Sequence, residues 1–344
     1  MRPTTWVICL IALSIGCAQS EQSAEPGSQA DLQQETDETT GTEGSSEEST
    51  DSSTSDSSDD TDDSQGDETG DEPVGEPETE DEIEIRYQDV SAGVWHTCAL
   101  DEDNVVRCFG DNEHGQSGTI IEELEQVGSG ADFTCGLMAD QSIICWGNNE
   151  DGQATPPGGS FVALSVGPWF ACALDTAGEI SCWGRDNNGE LEPPEGPFIQ
   201  ISVGGTHGCG LREGGQAICW GLDLYGRATV PEGWTFIHLT AGVMHTCAIT
   251  ENQSVICWGD DYHGQMTDVP DGKFIHLSAG RDHVCASSIT NELYCWGDNS
   301  HGQCDAPEGA FTVVSANTLH TCAIDLDAQL HCWGNNEWGQ SQVP

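Results

Sequence analysis

Two cysteines ten residues apart, the second followed at once by an aromatic residue and a glycine, recur seven times in this chain. The pairs are Cys98/Cys108, Cys135/Cys145, Cys172/Cys182, Cys209/Cys219, Cys247/Cys257, Cys285/Cys295 and Cys322/Cys332, and successive first cysteines stand 37 or 38 residues apart. A period that regular marks a repeat architecture, in which each unit is too small to bury its own apolar face and must stack on its neighbours. Fourteen of the 17 cysteines belong to this pattern.

The third copy shows what one unit is made of. Phe161 to Val166 reads as a first strand, with Val162, Leu164 and Val166 on one side and Phe161, Ala163 and Ser165 on the other. Gly167, Pro168 and Trp169 turn the chain into a second strand, Phe170 to Leu174. A further turn, Asp175 to Gly178, leads to a third, Glu179 to Trp183. A hairpin centred between Cys172 and Cys182 sets the two cysteines opposite each other, within reach of a disulfide if the pair is of the non-hydrogen-bonded kind. Zinc is the rival use of paired cysteines, but its sites want them two to four residues apart. Seven such units packed radially make an all-β, seven-bladed propeller. An open solenoid would need polar end repeats, whereas the terminal copies here are as apolar as the rest. The small residues Ser91, Gly128, Ser165, Ser202 and Ser278 on the first strands suit a crowded axis. Cys304 has no partner in the pattern and is either a free thiol or an intermolecular link.

Composition divides the chain in three. Residues 1–16 carry an apolar run from Trp6 to Leu13 after a single Arg2, too short to span a bilayer and fitting a signal peptide. Leu13 to Cys17, L-S-I-G-C, resembles the bacterial lipobox, with its leucine one place further back than the usual pattern; the resemblance implies a lipidated Cys17. An ordinary signal peptide cut near Ala18 to Ser20 is the alternative. Residues 17–84 form an acidic Ser/Thr/Glu/Asp-rich stretch, with 25 acidic and no basic side chains between 21 and 84. So few apolar residues cannot offset the entropy of ordering, and a disordered tether with a reach of about 40–50 Å or more is expected. Residues 85–344 hold the repeats, with 35 acidic against seven basic side chains. A chain this acidic repels phosphate backbones, which argues against nucleic acid as a partner. Paired thiols in such number point to an oxidising compartment. A membrane-anchored bacterial lipoprotein, at the cell surface or in the periplasm, is therefore expected.

The pattern A-G-x-x-H-T-C-A-L, then V-x-C-W-G, then N-x-x-G-Q resembles the regulator of chromosome condensation repeat family, over residues 88–344. The resemblance implies the propeller fold. The short period is similar to compact bacterial propellers such as the second-type beta-lactamase inhibitor proteins. The founder of the family is a nucleotide exchange factor for a small GTPase on chromatin. An exported acidic lipoprotein would meet neither partner, so exchange activity by fold analogy is not expected here.

Repeated polar residues are the first candidates for chemistry. His96, His207, His245, His283 and His320 share one repeat position, which Phe133 and Phe170 fill in the other two copies. Phenylalanine cannot ligate a metal, so this is read as a packing position at which imidazole also bonds to backbone, with no metal or cofactor. Trp146, Trp183, Trp220, Trp258, Trp296 and Trp333, with Phe109 in the first copy, read as core. The acidic turns at Asp101 to Asn104 and Asp260-Asp261 lack the ligand alternation of a calcium loop. No catalytic motif recurs at a distinctive place, and a non-enzymatic protein is expected.

A binding surface follows from strand direction, since the G-x-x-H turn and the N-x-x-G-Q loop must share one face. Framework residues there repeat while others vary, and Trp95, Asp132, Trp169, Tyr225, Met244, His263, Arg281, Asp282 and Trp338 are the candidates for contact. Aromatic anchors among varied polar residues suit recognition of a protein or a glycan by a monomer. An exported hydrolase or lyase acting on envelope polymers, or a passive surface protein, are the alternatives.

Overall fold

The computed structural model describes residues 85–120 and 122–344; the expected signal peptide, Cys17 and the acidic stretch lie outside the described residues. Seven three-stranded antiparallel sheets follow one another along the chain. In the first, the inner strand is Tyr87–Ala92, the middle strand His96–Asp101 and the outer strand Val106–Gly110. In every sheet the two cysteines of a pair are register partners across the middle and outer strands. The bridges are Cys98–Cys108, Cys135–Cys145, Cys172–Cys182, Cys209–Cys219, Cys247–Cys257, Cys285–Cys295 and Cys322–Cys332, with Cα atoms 4.0–4.1 Å apart.

Spacing treats the two cysteines of a pair as equivalent, and burial shows that they are not. Cys98, Cys135, Cys172, Cys209, Cys247, Cys285 and Cys322 are wholly buried on the middle strands. Their partners Cys108, Cys145, Cys182, Cys219, Cys257, Cys295 and Cys332 are only partly buried. The reason is position in the sheet: a middle strand is flanked on both sides, whereas the outer strand is an edge with one side open to solvent.

Each blade buries its face against the next rather than within itself. Phe133, Cys135, Leu137 and Ile143 of the second blade form one cluster with Phe161, Leu164, Ala173 and Trp183 of the third. The same arrangement joins the seventh blade to the first, where Cys322, Ile324 and Leu330 pack on Tyr87, Val90 and Ala99. Polar contacts cross that junction too: Asn317 Nδ2 donates to the Ala92 carbonyl at 2.8 Å, and the Tyr87 amide to the Ala328 carbonyl at 2.8 Å. The ring closes directly, with the first blade complete in itself.

The inner strands surround the axis, and their small residues do more than fit. Ser91, Ser165, Ser202, Thr240, Ser278 and Ser315 each accept the backbone amide of the next blade's inner strand, at 2.8–3.2 Å. Gly128 occupies this place in the second blade, where an added Cβ would run into Val166. These hydroxyls line an axial cavity of about 140 Å³. Above it the blades crowd most closely at the turn glycines: a Cβ on Gly204 would collide with the carbonyl of Gly242 in the next blade, so no other residue fits.

The strict alternation expected for Phe161–Val166 is not what forms. A β-bulge between Phe161 and Ala163 leaves Val162 48% exposed and turns both Phe161 and Leu164 into the core. The bulge recurs at the equivalent place in five other blades. An extra residue there bends the strand and shifts its faces by one, which alternation along a single segment cannot reveal.

Candidate functional site

The turn between inner and middle strands and the loop after the outer strand are tied together in every blade. The amide that opens the loop donates to the carbonyl of the residue before the repeated His/Phe position: Asp111 to Trp95, Asn148 to Asp132, Arg185 to Trp169, Leu222 to Thr206, Asp260 to Met244, Asp298 to Asp282 and Asn335 to Leu319, at 2.8–3.1 Å. Both therefore lie on one face, and the tight hairpin turns lie at the other end.

The loop of one blade is built into the next. Its sixth residue, Gln116 in the first blade, accepts the His114 amide through Oε1 and donates to Asp111 through Nε2. The same residue's backbone carbonyl receives Trp146 Nε1 and Thr134 Oγ1 from the following blade, at 2.8 and 2.9 Å. Tryptophan closes five further seams in the same way. The repeated histidines join this network through the same threonines. Nε2 of His96, His207, His283 and His320 lies 2.7–2.9 Å from the hydroxyl of Thr134, Thr246, Thr321 and Thr97 respectively. Each threonine's single proton goes to a loop carbonyl, so the imidazole must be the donor, protonated on Nε2. Nδ1 then carries no proton, and it has no hydrogen-bond partner. The well-formed bond of these four imidazoles is a side-chain one across the seam, while the backbone contact expected for this position is approached by His96 at Ala131 and by His245 at Arg281. Burial drives their pKa values down, to about 4 for His96 and His245 and about 3 for His207, His283 and His320. They are neutral structural groups.

His245 is the exception, because the residue facing it in the next copy is Val284 rather than threonine, and both its ring nitrogens lack partners. Val284→Thr is nearly isosteric and supplies the missing acceptor. It is expected to raise unfolding stability by about 1 kcal/mol, measured by urea titration; an unchanged or lower midpoint would show that this seam is held by apolar packing instead.

Cys304 is neither exposed nor linked. Its Sγ donates to the Asp298 carbonyl at 3.2 Å, as Ser117 and Ser341 Oγ donate to Asp111 and Asn335 in their own loops at 2.6 Å. Burial, with Asp298 and Asp305 nearby, pushes the thiol up to about 12, so it is a poor nucleophile. Within this chain Cys304 is a free thiol that caps its own loop.

On the outer surface of the face the two variable sets meet in pairs, one from each side of a seam. Trp338 of the last loop stands edge-on to Trp95 of the first turn, ring centroids 6.3 Å apart. His114 approaches Asp132, whose carboxyl is pushed up by burial, opposed by His114 and reinforced by Asp111 and Glu113. His263 lies between Asp282 and Asp298, 3.6 Å from the latter, while Arg281 holds Asp282 at 3.2 Å. Between the third and fourth blades Trp169, Arg185, Asn188, Glu190 and Thr206 line a cleft of about 190 Å³, with Arg185 over the Trp169 ring. Tyr225 is 60% exposed on a 3-10 turn, Leu224–Gly226. Met244 is half-buried beside Arg227, which replaces the usual loop glutamine. Sequence reading missed Arg227: its guanidinium is 2% exposed, bonded to the Leu224 and Val243 carbonyls and to Thr206, with Nη2 unpartnered. Only a column-by-column comparison of the loops would have singled it out. Among the described residues, no group of three or more His, Cys, Asp or Glu is placed to hold a metal ion.

Seven closed, disulfide-bridged, three-stranded blades with loop–turn seams on one face define an RCC1-type propeller. The regulator of chromosome condensation (RCC1) repeat model matches residues 87–116, 125–153, 161–190, 198–227, 236–265 and 274–303, and the chain belongs to that family. No curated protein sequence matches it. Among solved structures it is similar to the ectodomain of the Physcomitrella patens receptor kinase CR4, at 29% identity over 73% of this chain and 74% of that one, TM-score 0.63. The CRINKLY WD40 ectodomain of the Arabidopsis thaliana receptor kinase ACR4 matches at 21% identity over 76% of this chain and 100% of that one, TM-score 0.63. Prp20p of Saccharomyces cerevisiae, described with its binding properties to Gsp1p and histones, matches at 17% identity over 72% and 85%, TM-score 0.60.

That last likeness corrects the functional expectation. Nucleotide exchange had been set aside on charge and compartment, yet the fold and family include Prp20p, and fold analogy gives no ground for dismissing exchange activity. Kinship with receptor ectodomains is consistent with a non-enzymatic protein. Seven disulfides place the folded domain in an oxidising, extracytoplasmic compartment.

Proposed function

We propose that this chain is a membrane-associated, extracytoplasmic propeller that binds another protein through its loop face. One observation carries the reading: at the seams, unlike side chains from adjacent blades are paired on a framework whose loop-to-turn hydrogen bond is the same in every copy. A rigid, repeated scaffold presenting unrepeated aromatic and charged groups is the composition of recognition surfaces. The likeness to plant receptor ectodomains supports a position outside a membrane. In this reading residues 1–16 are a lipoprotein signal peptide, Cys17 carries the lipid of a bacterial anchor, and residues 17–84 are the acidic spacer ahead of the 85–344 propeller. The first described residues enter at the hairpin-turn end, where Arg86 Nη1 donates to the Asp327 carbonyl at 3.0 Å.

Photo-crosslinking residues placed at Trp169, Tyr225 and Trp338 in intact cells are expected to trap one discrete protein adduct, while the same probe at Glu102, Asp140 and Asp327 on the hairpin face traps none. Adducts from the hairpin face alone would overturn the proposal. Cys17→Ser is expected to release the protein from the membrane fraction and abolish incorporation of an alkyne fatty acid; retention of both would remove the anchor.

A further inference from the structure

The loop face is not uniform in charge. Of the seven basic side chains in residues 85–344, Arg86 and Arg107 are held at the hairpin end of the first blade by Glu102 and Asp101, each at 3.0 Å. Arg212 and Lys273 also belong to the hairpin end, Arg212 bonded to the Glu195 carbonyl and Lys273 accepting the Ile289 amide through its own carbonyl. Arg185, Arg227 and Arg281 reach the loop face, on the third, fourth and sixth blades. Among the described residues, the arc formed by the seventh, first and second blades therefore has no Lys or Arg on this face. It presents Asp111, Glu113 and Asp132, with Glu337 beside Trp338. The same arc holds the Trp95/Trp338 pair, of which Trp338 is 49% exposed. The two features are physically joined, since the Asp111 amide donates to the Trp95 carbonyl at 2.9 Å.

An indole pair with Trp338 exposed and Trp95 half-buried, bordered by carboxylates without a Lys or Arg partner, is a surface short of a cation. Indole faces attract guanidinium and ammonium groups through the ring quadrupole, and carboxylates beside them hold the charge that has been drawn in. Asp111 already accepts two loop bonds, from the Glu113 amide and from Gln116, but the Glu113 side chain is exposed and Asp132 has only His114 near it as a counter-charge. A partner bringing a positive side chain here would offset the mutual repulsion of three carboxylates, and the long-range field of an acidic domain would steer it in.

We propose that the arc of the seventh, first and second blades docks a basic protein segment, with an arginine or lysine lying on the Trp95/Trp338 pair and its charge met by Asp111, Glu113 and Asp132. This rests on the loop-face reading and names the chemistry of the partner. Arginine suits the site better than lysine, because its planar group stacks on one indole while donating sideways to carboxylate.

The test uses the full chain and a Gly-Arg repeat hexapeptide carrying a benzophenone, with Gly-Lys and Gly-Glu repeats as counterparts. The acidic segment before the propeller attracts the basic peptides in every variant alike, so the site is read from differences between variants and from mapped crosslinks. Expected are crosslinks at or beside Trp95 and Trp338, affinity in the order Arg, Lys, Glu, and weakening between 50 and 300 mM salt. Trp95→Ala with Trp338→Ala is expected to reduce the propeller-specific affinity at least tenfold. Asp111→Asn with Asp132→Asn is expected to reduce it severalfold, and because Asn148 and Asn335 stand at the Asp111 position in other blades, that variant keeps the fold. Trp169→Ala is expected to change nothing. Crosslinks clustered at Trp169 and Arg185 would overturn the basic-segment site while leaving the loop face as the binding surface. Crosslinks confined to the hairpin face would overturn both, and equal binding of the Glu repeat would overturn the charge argument.

Discussion

Between pH 6.5 and 4 the propeller is expected to lose its folded state, with an unfolding midpoint near pH 5 at 25 °C. Seven histidines have pKa values depressed by burial: His96, His238 and His245 to about 4, His207, His283 and His320 to about 3, and His276 downward as well. In the unfolded chain the same groups titrate near pH 6.5. As pH falls below that value the unfolded state takes up protons that the folded state refuses, so stability falls with pH and goes on falling until the folded pKa values are reached. Asp89 works the other way. Burial raises its pKa to about 6, so it binds a proton in the folded state first and favours the fold as pH drops through that range. Asp132 and Asp282 are raised by burial in the same sense as Asp89; among the groups shifted furthest, six histidines against Asp89 leave a net of about five protons, or about 7 kcal/mol per pH unit well below pH 6.5. A domain of ordinary stability, about 5–15 kcal/mol, is exhausted within one to two units. Tryptophan fluorescence against pH reads the midpoint. His96→Phe with Thr134→Ala converts one seam to the arrangement that Phe133 and Ala171 already adopt, and should make the acid transition shallower by about one proton. A midpoint below pH 3.5, or a slope unchanged by that double substitution, would show that the imidazoles do not control acid stability.

The same seams show why the sequence disclosed the scaffold more readily than its couplings. Period, hairpin register and blade number follow from spacing alone, because a ten-residue cysteine interval permits few geometries and seven copies repeat it. Spacing could not show that Cys108, Cys145, Cys182, Cys219, Cys257, Cys295 and Cys332 sit at an open sheet edge while their partners are wholly buried, since that depends on which strand is flanked. The partner of each histidine was also present in the sequence, in the residue that follows the His/Phe position one copy later: threonine after four of the five histidines, Ala171 after Phe133, Gly208 after Phe170. Reading each copy along its length hides that correspondence, since the contact is made about 38 residues away. The inner-strand bulge was invisible for a different reason. Val162, Ile237 and Ile275 look like core residues by type, and only pairing with the middle strand shows that they are the extruded ones. Arg227 and Glu190 each replace a loop glutamine once, and a single substitution in a repeat reads as drift until its burial is known. For the binding face, the two variable sets were separable in the sequence, but their meeting in pairs depends on which blade overlaps which. Exchange activity was set aside for properties of the surroundings, charge and compartment, which say nothing about what a propeller face can do.

Reduction of the seven disulfides is expected to unfold the domain outright at neutral pH. Each bridge spans a sequence separation of 10, and closing a loop that short restricts the unfolded chain by about 2–3 kcal/mol. Seven of them together amount to about 15–20 kcal/mol, more than the whole stability of an ordinary domain. Little else within a blade can compensate. A three-stranded sheet such as the first, with strands of 6, 6 and 5 residues, buries almost nothing alone, and its apolar side chains reach the core only against a neighbour that is itself folded. Because the ring closes blade on blade, one opened hairpin also exposes the two seams beside it, so the loss should be cooperative. Removing a single bridge with Cys247→Ala and Cys257→Ala is expected to cost about 2–3 kcal/mol and leave a folded ring. Full reduction at pH 8 should abolish the near-ultraviolet circular dichroism of the buried tryptophans. A reduced protein that keeps this signal, and that still unfolds cooperatively in urea, would mean that inter-blade packing and the histidine–threonine seams hold the propeller without its cross-links.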